Sequence, residues 1–269
     1  MASESDPDRL VEAAVEAALA GAEVVAAGAR GGRPDVEMKG VSGDYVTSVD
    51  RQSEAAIEAV LRTDTGIAVV GEEEGGSAGN RYWVVDPLDG TTNFIHGFHV
   101  LGVSVALVEE GRPVVGVVHA PFLGDVFVGA RGLGAEVRRA DGRSEPLRIS
   151  GRDPDRAVVA TGFPFRRKDV LKRYLAMFGA ALEGFEDLRR PGAASLDLAW
   201  TAEGVFDGFF ELGLSAWDVA AGGLLVEEAG GRVTDWSGGP DYLGGNVLAG
   251  PPAVHAELVR LARETAATA

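Results

Sequence analysis

The 269-residue chain contains no cysteine. Disulfides, thiolate metal sites and a cysteine nucleophile are therefore excluded. Positive charge is scarce: 25 Lys and Arg stand against 41 Asp and Glu, a formal charge of −16 at pH 7. Nucleic-acid backbones and anionic membranes are gripped by basic patches, so this balance argues against both as partners. Long apolar runs are also missing. The stretch 100–108 contains Ser104 and stops at Glu109-Glu110, well short of the ~20 residues of a membrane helix. The N-terminus has neither the basic start nor the apolar stretch of a signal peptide, and a cytoplasmic location is expected. The four histidines, His96, His99, His119 and His255, fall in no zinc-binding spacing. A Walker lysine and a G-x-S-x-G elbow are lacking too, which leaves ATP hydrolysis and serine-hydrolase chemistry without support.

Glycine, by contrast, is abundant, with 38 residues, about double the usual ~7%. Many tight turns follow. Asp6-Pro7 reads as an N-cap with proline at the first helical position, opening an amphipathic helix to about residue 29. A second helix is expected over 48–61. Strands follow at 67–70, 82–85, 100–108, 114–119, 125–128 and 135–139, separated by Gly, Pro and Asp turns. Most connections are too short for crossover helices, which predicts a mixed or antiparallel sheet flanked by the two early helices. A polar, turn-rich stretch near 140–155 divides the chain into halves, 1–150 and 151–269. The second half reads as a strand at 157–160, helices at 170–182, 194–202 and 219–230, a strand at 208–211 and a final helix at 253–264.

Chemistry concentrates in Asp86-Pro87-Leu88-Asp89-Gly90-Thr91-Thr92-Asn93-Phe94. A strand delivers Asp86, and Pro87 should bar further ladder pairing. Two carboxylates three residues apart on one turn can converge on a hard cation, with the Leu88 carbonyl as a further oxygen ligand. Gly90, Thr91 and Thr92 then offer the N–H and hydroxyl groups that a phosphate wants. A strand-ending Asp with an Asx-turn and a Thr cap is the plainer reading. Gly71-Glu72-Glu73-Glu74, an acidic turn after a strand, would ordinarily be solvated surface. Asp44 and Thr47 can be simple turn formers, and Asp50 and Asp218 simple helix caps. Arg166-Arg167-Lys168 reads as a solvated loop that could attract an anion.

The four segments Lys39…Asp44-x-x-Thr47-x-x-Asp50, Gly71-Glu72-Glu73, Asp86 to Thr92 and Trp217-Asp218-Val219-Ala220-Ala221-Gly222, in this order, resemble the inositol monophosphatase family of magnesium-dependent, lithium-sensitive phosphatases, in its bacterial branch. The resemblance implies an α/β (α+β) layered sandwich, a sugar-phosphatase fold with alternating helix and sheet layers. It implies two or more Mg²⁺ ions, one held by Glu72, Asp86 and the Leu88 carbonyl and another by Asp86, Asp89 and Asp218. Such paired cations, ~3.5–4 Å apart, suit an in-line displacement. Glu72, Asp50 and Thr91 become the catalytic set, the last two orienting a water, and Lys39 an electrostatic support. The substrate would lie against Asp89, Gly90, Thr91, Gly192, Ala193, Ala194, Glu211 and Asp218. Ala193 stands where the family commonly has Thr or Ser, and His99 where many relatives have Pro. Thr161 falls near the phosphate side.

The function so implied is hydrolysis of a phosphate monoester by direct attack of a metal-activated water, inositol 1-phosphate being the leading substrate. Fructose 1,6-bisphosphate, histidinol phosphate or a 3′-phosphonucleotide is the alternative. A non-catalytic, metal-binding regulator is the reading from another class. The expected partners are a small phosphorylated polyol or sugar and a second copy of the chain in a homodimer, with neither nucleic acid nor membrane.

Overall fold

A computed structural model describes residues 6–31, 35–39 and 45–266; Asp44 lies outside them. Helix α1 (Pro7–Arg30) opens on Asp6, whose carboxylate accepts the Asp8 N–H at 3.2 Å. Its buried stripe includes Leu10, Ala14, Ala18 and Val25. The pair β1 (Val36–Met38) and β2 (Tyr45–Thr47) is an antiparallel ladder. Helix α2 (Ser48–Thr65) ends on Gly66, whose φ of 67° is the left-handed conformation that glycine adopts without penalty.

The large sheet holds β3 (Val69–Gly71), β4 (Arg81–Asp89), β5 (Gly102–Glu109), β6 (Arg112–Ala120), β7 (Asp125–Ala130), β8 (Gly134–Arg138) and β9 (Ser144–Pro146), in that spatial order. Short helix α3 (Thr91–Ile95) interrupts the run between β4 and β5. Only β3 and β4 are parallel, so the sheet is mixed, as expected. The smaller sheet has the order β11-β10-β12-β14-β13. Its strands are β10 (Val158–Thr161), β11 (Asp187–Arg189), β12 (Gly208–Glu211), β13 (Arg232–Thr234) and β14 (Val247–Gly250). Helices α4 (Leu171–Gly184), α5 (Ala194–Glu203), α6 (Ala216–Glu228) and α7 (Pro252–Ala266) complete the chain.

Strand alternation decides the layering. Trp83, Val85, Val105 and Leu107 share a core with α1 and α2. Their neighbours Val84, Ala106 and Val108 face the other way, into a core with α5, α6 and Phe209 and Ala249 of the small sheet. The far side of that sheet, with Val159 and Phe210, packs on α4 and α7. The molecule is therefore five layers, helix–sheet–helix–sheet–helix, the layered α/β class expected.

Several local expectations change. Pro87 does not end its strand: β4 continues to Asp89, with Asp86 opposite Ser104 and Asp89 opposite Gly102. The register shifts between these pairs, so the proline that cannot donate to the ladder sits in a bulge. Asp50 and Asp218 are not N-caps. Thr47 and Ser215 are, and each Asp is the N3 partner of a capping box. Strand β11 was not anticipated, because three residues on a sheet edge carry no periodicity.

Helix α6 reaches the large sheet through small residues. A Cβ on Gly116 would lie 2.9 Å from the Ala221 carbonyl oxygen and 3.0 Å from its Cα. Gly116→Ala must push α6 off the sheet. The expected cost is about 1–3 kcal/mol, as for other overpacked cores, read as a lower urea midpoint with an unchanged slope.

Candidate active site

The N-terminal turn of α2 supplies Asp50, which is 1% exposed. Its Oδ2 accepts the Thr47 N–H (2.8 Å) and hydroxyl (2.6 Å), and its Oδ1 accepts the Thr91 hydroxyl at 3.1 Å. Burial pushes the Asp50 carboxyl up, opposed by the hydrogen bonds from Thr47 and Thr91. The Thr91 hydroxyl also lies 3.2 Å from the Leu88 carbonyl. Ser53, one turn further along α2, donates to the Pro87 carbonyl at 2.8 Å and fixes the bulge.

The bulge turns Asp86 and Asp89 to one side. Asp86 Oδ1 accepts the Leu88 N–H at 3.0 Å. Asp89 Oδ2 accepts both the backbone N–H (2.7 Å) and the hydroxyl (2.6 Å) of Ser195, in the first turn of α5. Asp218 arrives from α6, whose start is tied to β5 by the Ser104 hydroxyl on the Trp217 carbonyl at 3.0 Å. Its Oδ2 accepts the Ser215 N–H at 2.6 Å. Oxygens of Asp86, Asp89 and Asp218 lie within 4.8 Å of one another, and all three residues are buried.

Burial, and then the charges of Glu72, Asp89 and Asp218, push the Asp86 carboxyl well above its ordinary range. Asp89 is raised by burial, against the donors of Ser195. Asp218 is pushed up to about 7 by burial and then by Asp89 and Glu72. Three buried carboxylates that repel one another and offer only oxygen fit a hard divalent cation. Glu72 is not one of the carboxylates within 4.8 Å of one another, but its charge acts on all three, and its own carboxylate is held by Lys39 Nζ at 3.2 Å; the same ammonium also bonds Glu73.

An open cleft lies beside the cluster, and its lining includes Asp89, Gly90, Thr91 and Asp218. Gly162, Phe163, Phe165, Arg166, Arg190 and Glu211 line it as well. Glu211 is pushed up to about 8 by burial and the charges of Asp218 and Asp89, against Arg190 and Arg166. Gly162 leaves room for it, since a Cβ there would lie 2.1 Å from Glu211 Oε1. Gly90 and Gly192 have φ of 96° and 97°, and Asn93 Nδ2 ties their loops together through the Val100 (2.9 Å) and Pro191 (3.0 Å) carbonyls.

Gly192 and Ala194 line the cleft, but the Ala193 methyl is fully buried in the core between the sheets. Thr161 is buried in the small sheet, its hydroxyl engaged by the Phe210 carbonyl (2.7 Å) and the Tyr174 hydroxyl (3.0 Å). The His99 ring stacks on Phe122 at 4.3 Å. Sequence reasoning missed Ser195, whose bond to Asp89 spans 106 residues; a serine in a helix's first turn was its only signal. Arg190, stacked over Phe163 at 5.2 Å, had none.

Fold and site together define a layered α/β protein with a buried cluster of carboxylates, suited to a hard cation, beside an open cleft. The model described as "Inositol monophosphatase family" matches residues 6–267, and the chain belongs to that family. It is 43% identical over 225 residues to "Nus factor SuhB" of Escherichia coli K12, covering 82% of each chain. Among solved structures it resembles the extragenic suppressor protein suhB of Bartonella henselae (35% identity, TM-score 0.87, 95% of this chain and 98% of that one). It also resembles an inositol monophosphatase of Anabaena (33%, TM-score 0.83, 96% of each). Membership supports a phosphatase dependent on Mg²⁺ and acting on phosphorylated substrates. Among the described residues, no helix is long and apolar enough to cross a membrane.

Proposed function

We propose that the protein hydrolyses small phosphate monoesters with Mg²⁺, inositol 1-phosphate first among them, by direct attack of water and without a covalent phosphoenzyme. The observation that carries this reading is the buried Asp86–Asp89–Asp218 cluster beside the hydrogen-bonded Asp50–Thr91 pair. Glu72, Asp86 and the Leu88 carbonyl would hold one ion, and Asp86, Asp89 and Asp218 a second. When bound, such ions offset negative charge on phosphoryl oxygens and make water acidic enough to react near neutral pH.

The chain's own groups do the rest. Asp50 accepts the Thr91 proton, which turns the lone pairs of that hydroxyl toward the cleft. A water donating to Thr91 Oγ1 is thereby oriented and its proton has an acceptor path to Asp50. The Gly90 and Thr91 N–H groups face the phosphoryl oxygens. Glu211, in the lining of the cleft, accepts hydrogen bonds from polyol hydroxyls. A cytoplasmic homodimer sensitive to lithium belongs to the same reading.

The test is phosphate release at fixed Mg²⁺, with and without lithium. The panel is inositol 1-phosphate, fructose 1,6-bisphosphate, histidinol phosphate and 3′-phosphoadenosine 5′-phosphate. Fastest release from inositol 1-phosphate, suppressed by lithium, is the expected result. Preference for another ester keeps the chemistry and replaces the substrate. Release from none of them overturns the reading in favour of a non-catalytic metal-binding protein.

A further inference from the structure

Glu54 lies on α2 one turn beyond Asp50, and at 3% exposure it is as buried as a core leucine. A buried carboxylate needs donors, and its two oxygens find them on one turn of the large sheet. Oε2 accepts the Glu73 N–H at 2.8 Å, and Oε1 accepts the Glu74 N–H at 2.7 Å. Successive backbone N–H groups of this kind form an anion-binding concavity, filled here by a side chain of the same molecule. The turn is closed by the Gly71 N–H on the Gly75 carbonyl at 3.0 Å. Gly71 is required for the fit: a Cβ there would lie 2.3 Å from the Glu54 carboxyl carbon.

Glu72 sits inside that clamp, between Gly71 and Glu73. We infer that Glu54 is a positioning residue for the cation: it grips the backbone on the far side of Glu72 and so holds the Glu72 carboxylate toward Asp86 and Asp218 without being a ligand itself. Each Glu54 oxygen is engaged by a backbone N–H of the turn. The inference rests on the proposed role of Glu72 as a metal ligand. It also gives α2 a common task, since Asp50, Ser53 and Glu54 on its first two turns bind Thr91, the Pro87 bulge and the Glu72 turn respectively.

The test is Mg²⁺ binding to the full chain by titration calorimetry, for Glu54→Gln, Gly71→Ala and the double variant. Glutamine keeps the volume, but its amide NH₂ faces an N–H, so one of the two bonds is lost. Gly71→Ala leaves Glu54 chemically intact and displaces its carboxylate. Each is expected to weaken Mg²⁺ binding by about 10–100-fold, the range for groups that orient metal ligands. The double variant is expected to be no weaker than the poorer single, since both break one clamp. The half-saturating Mg²⁺ concentration should rise in step, with turnover at saturating Mg²⁺ changing less than about threefold. Affinity within about twofold of the parent in either variant, or losses that multiply in the double, would overturn the inference. If Glu54→Gln does not fold, Gly71→Ala carries the test alone. A parent chain that binds Mg²⁺ but releases phosphate from no monoester refutes the functional reading only; one that binds no Mg²⁺ refutes both.

Discussion

Asp86→Asn is expected to lower phosphate release by about 10³-fold while making the metal-free protein more stable. The two effects have one cause. Asp86 is 1% exposed and faces the charges of Glu72, Asp89 and Asp218, so its ionised form is costly unless a cation offsets it. Asparagine keeps the oxygen that accepts the Leu88 N–H, which spares the bulge an unsatisfied donor. What is lost is a formal charge shared by both proposed ions. Metal ions contribute several kcal/mol to the transition state, and each ~1.4 kcal/mol is tenfold in rate. The prediction is checked by steady-state assays at high Mg²⁺ and by thermal melts in EDTA. An active variant, or one less stable than the parent in EDTA, would refute it.

Second, the metal-free protein should lose stability as pH rises from about 6.5 to 8.5, against the usual expectation for an acidic protein near neutrality. Asp218 is raised to about 7 and Glu211 to about 8. Glu73 reaches about 7, chiefly through burial and against the bond from Lys39. These carboxyls titrate near 4 in the unfolded chain. Across the window the native state therefore holds more protons than the unfolded state, and stability falls with pH by about 1.4 kcal/mol per unit for each extra proton. His255 does not interfere. Burial depresses it to about 4, so it is neutral in both states above its ordinary value of 6.5. Mg²⁺ should reverse the trend, because it binds the deprotonated cluster and stabilises whatever it binds. Melting temperature in EDTA is expected to drop across the window, and the gain from added Mg²⁺ to grow. A flat EDTA profile would contradict the buried-carboxylate account.

How much of this was readable in the chain depended on distance along it. The start of α1 was legible because Asp6 and Pro7 act within a turn of themselves. The mixed sheet was legible in the short connections between strands, whereas the layered fold came only with the family resemblance carried by the four acidic segments. Pro87 was misread because a strand stop and a bulge look alike until the partner is known, and the partner residues Ser104 and Gly102 lie beyond α3. Asp50 and Asp218 were recognised as helix-start residues, but the cap itself fell to Thr47 and Ser215, three positions earlier. Ser195 and Glu54 were invisible because each looks like an ordinary polar residue on a helix, and each acts on backbone or carboxylate delivered by another segment. The burial of Ala193 could not be foreseen, since the methyl faces a core built from both sheets.

Helices α5 and α6 lie between the two sheets and serve as the inner wall of both. Neither sheet can part from this helix pair without exposing an apolar face of Val84, Ala106 and Val118 on one side or Phe209 and Ala249 on the other. A chain cut near residue 150 would leave the larger sheet bare on that face, a surface that invites aggregation. The two halves of the sequence thus share one core, built on this helix pair.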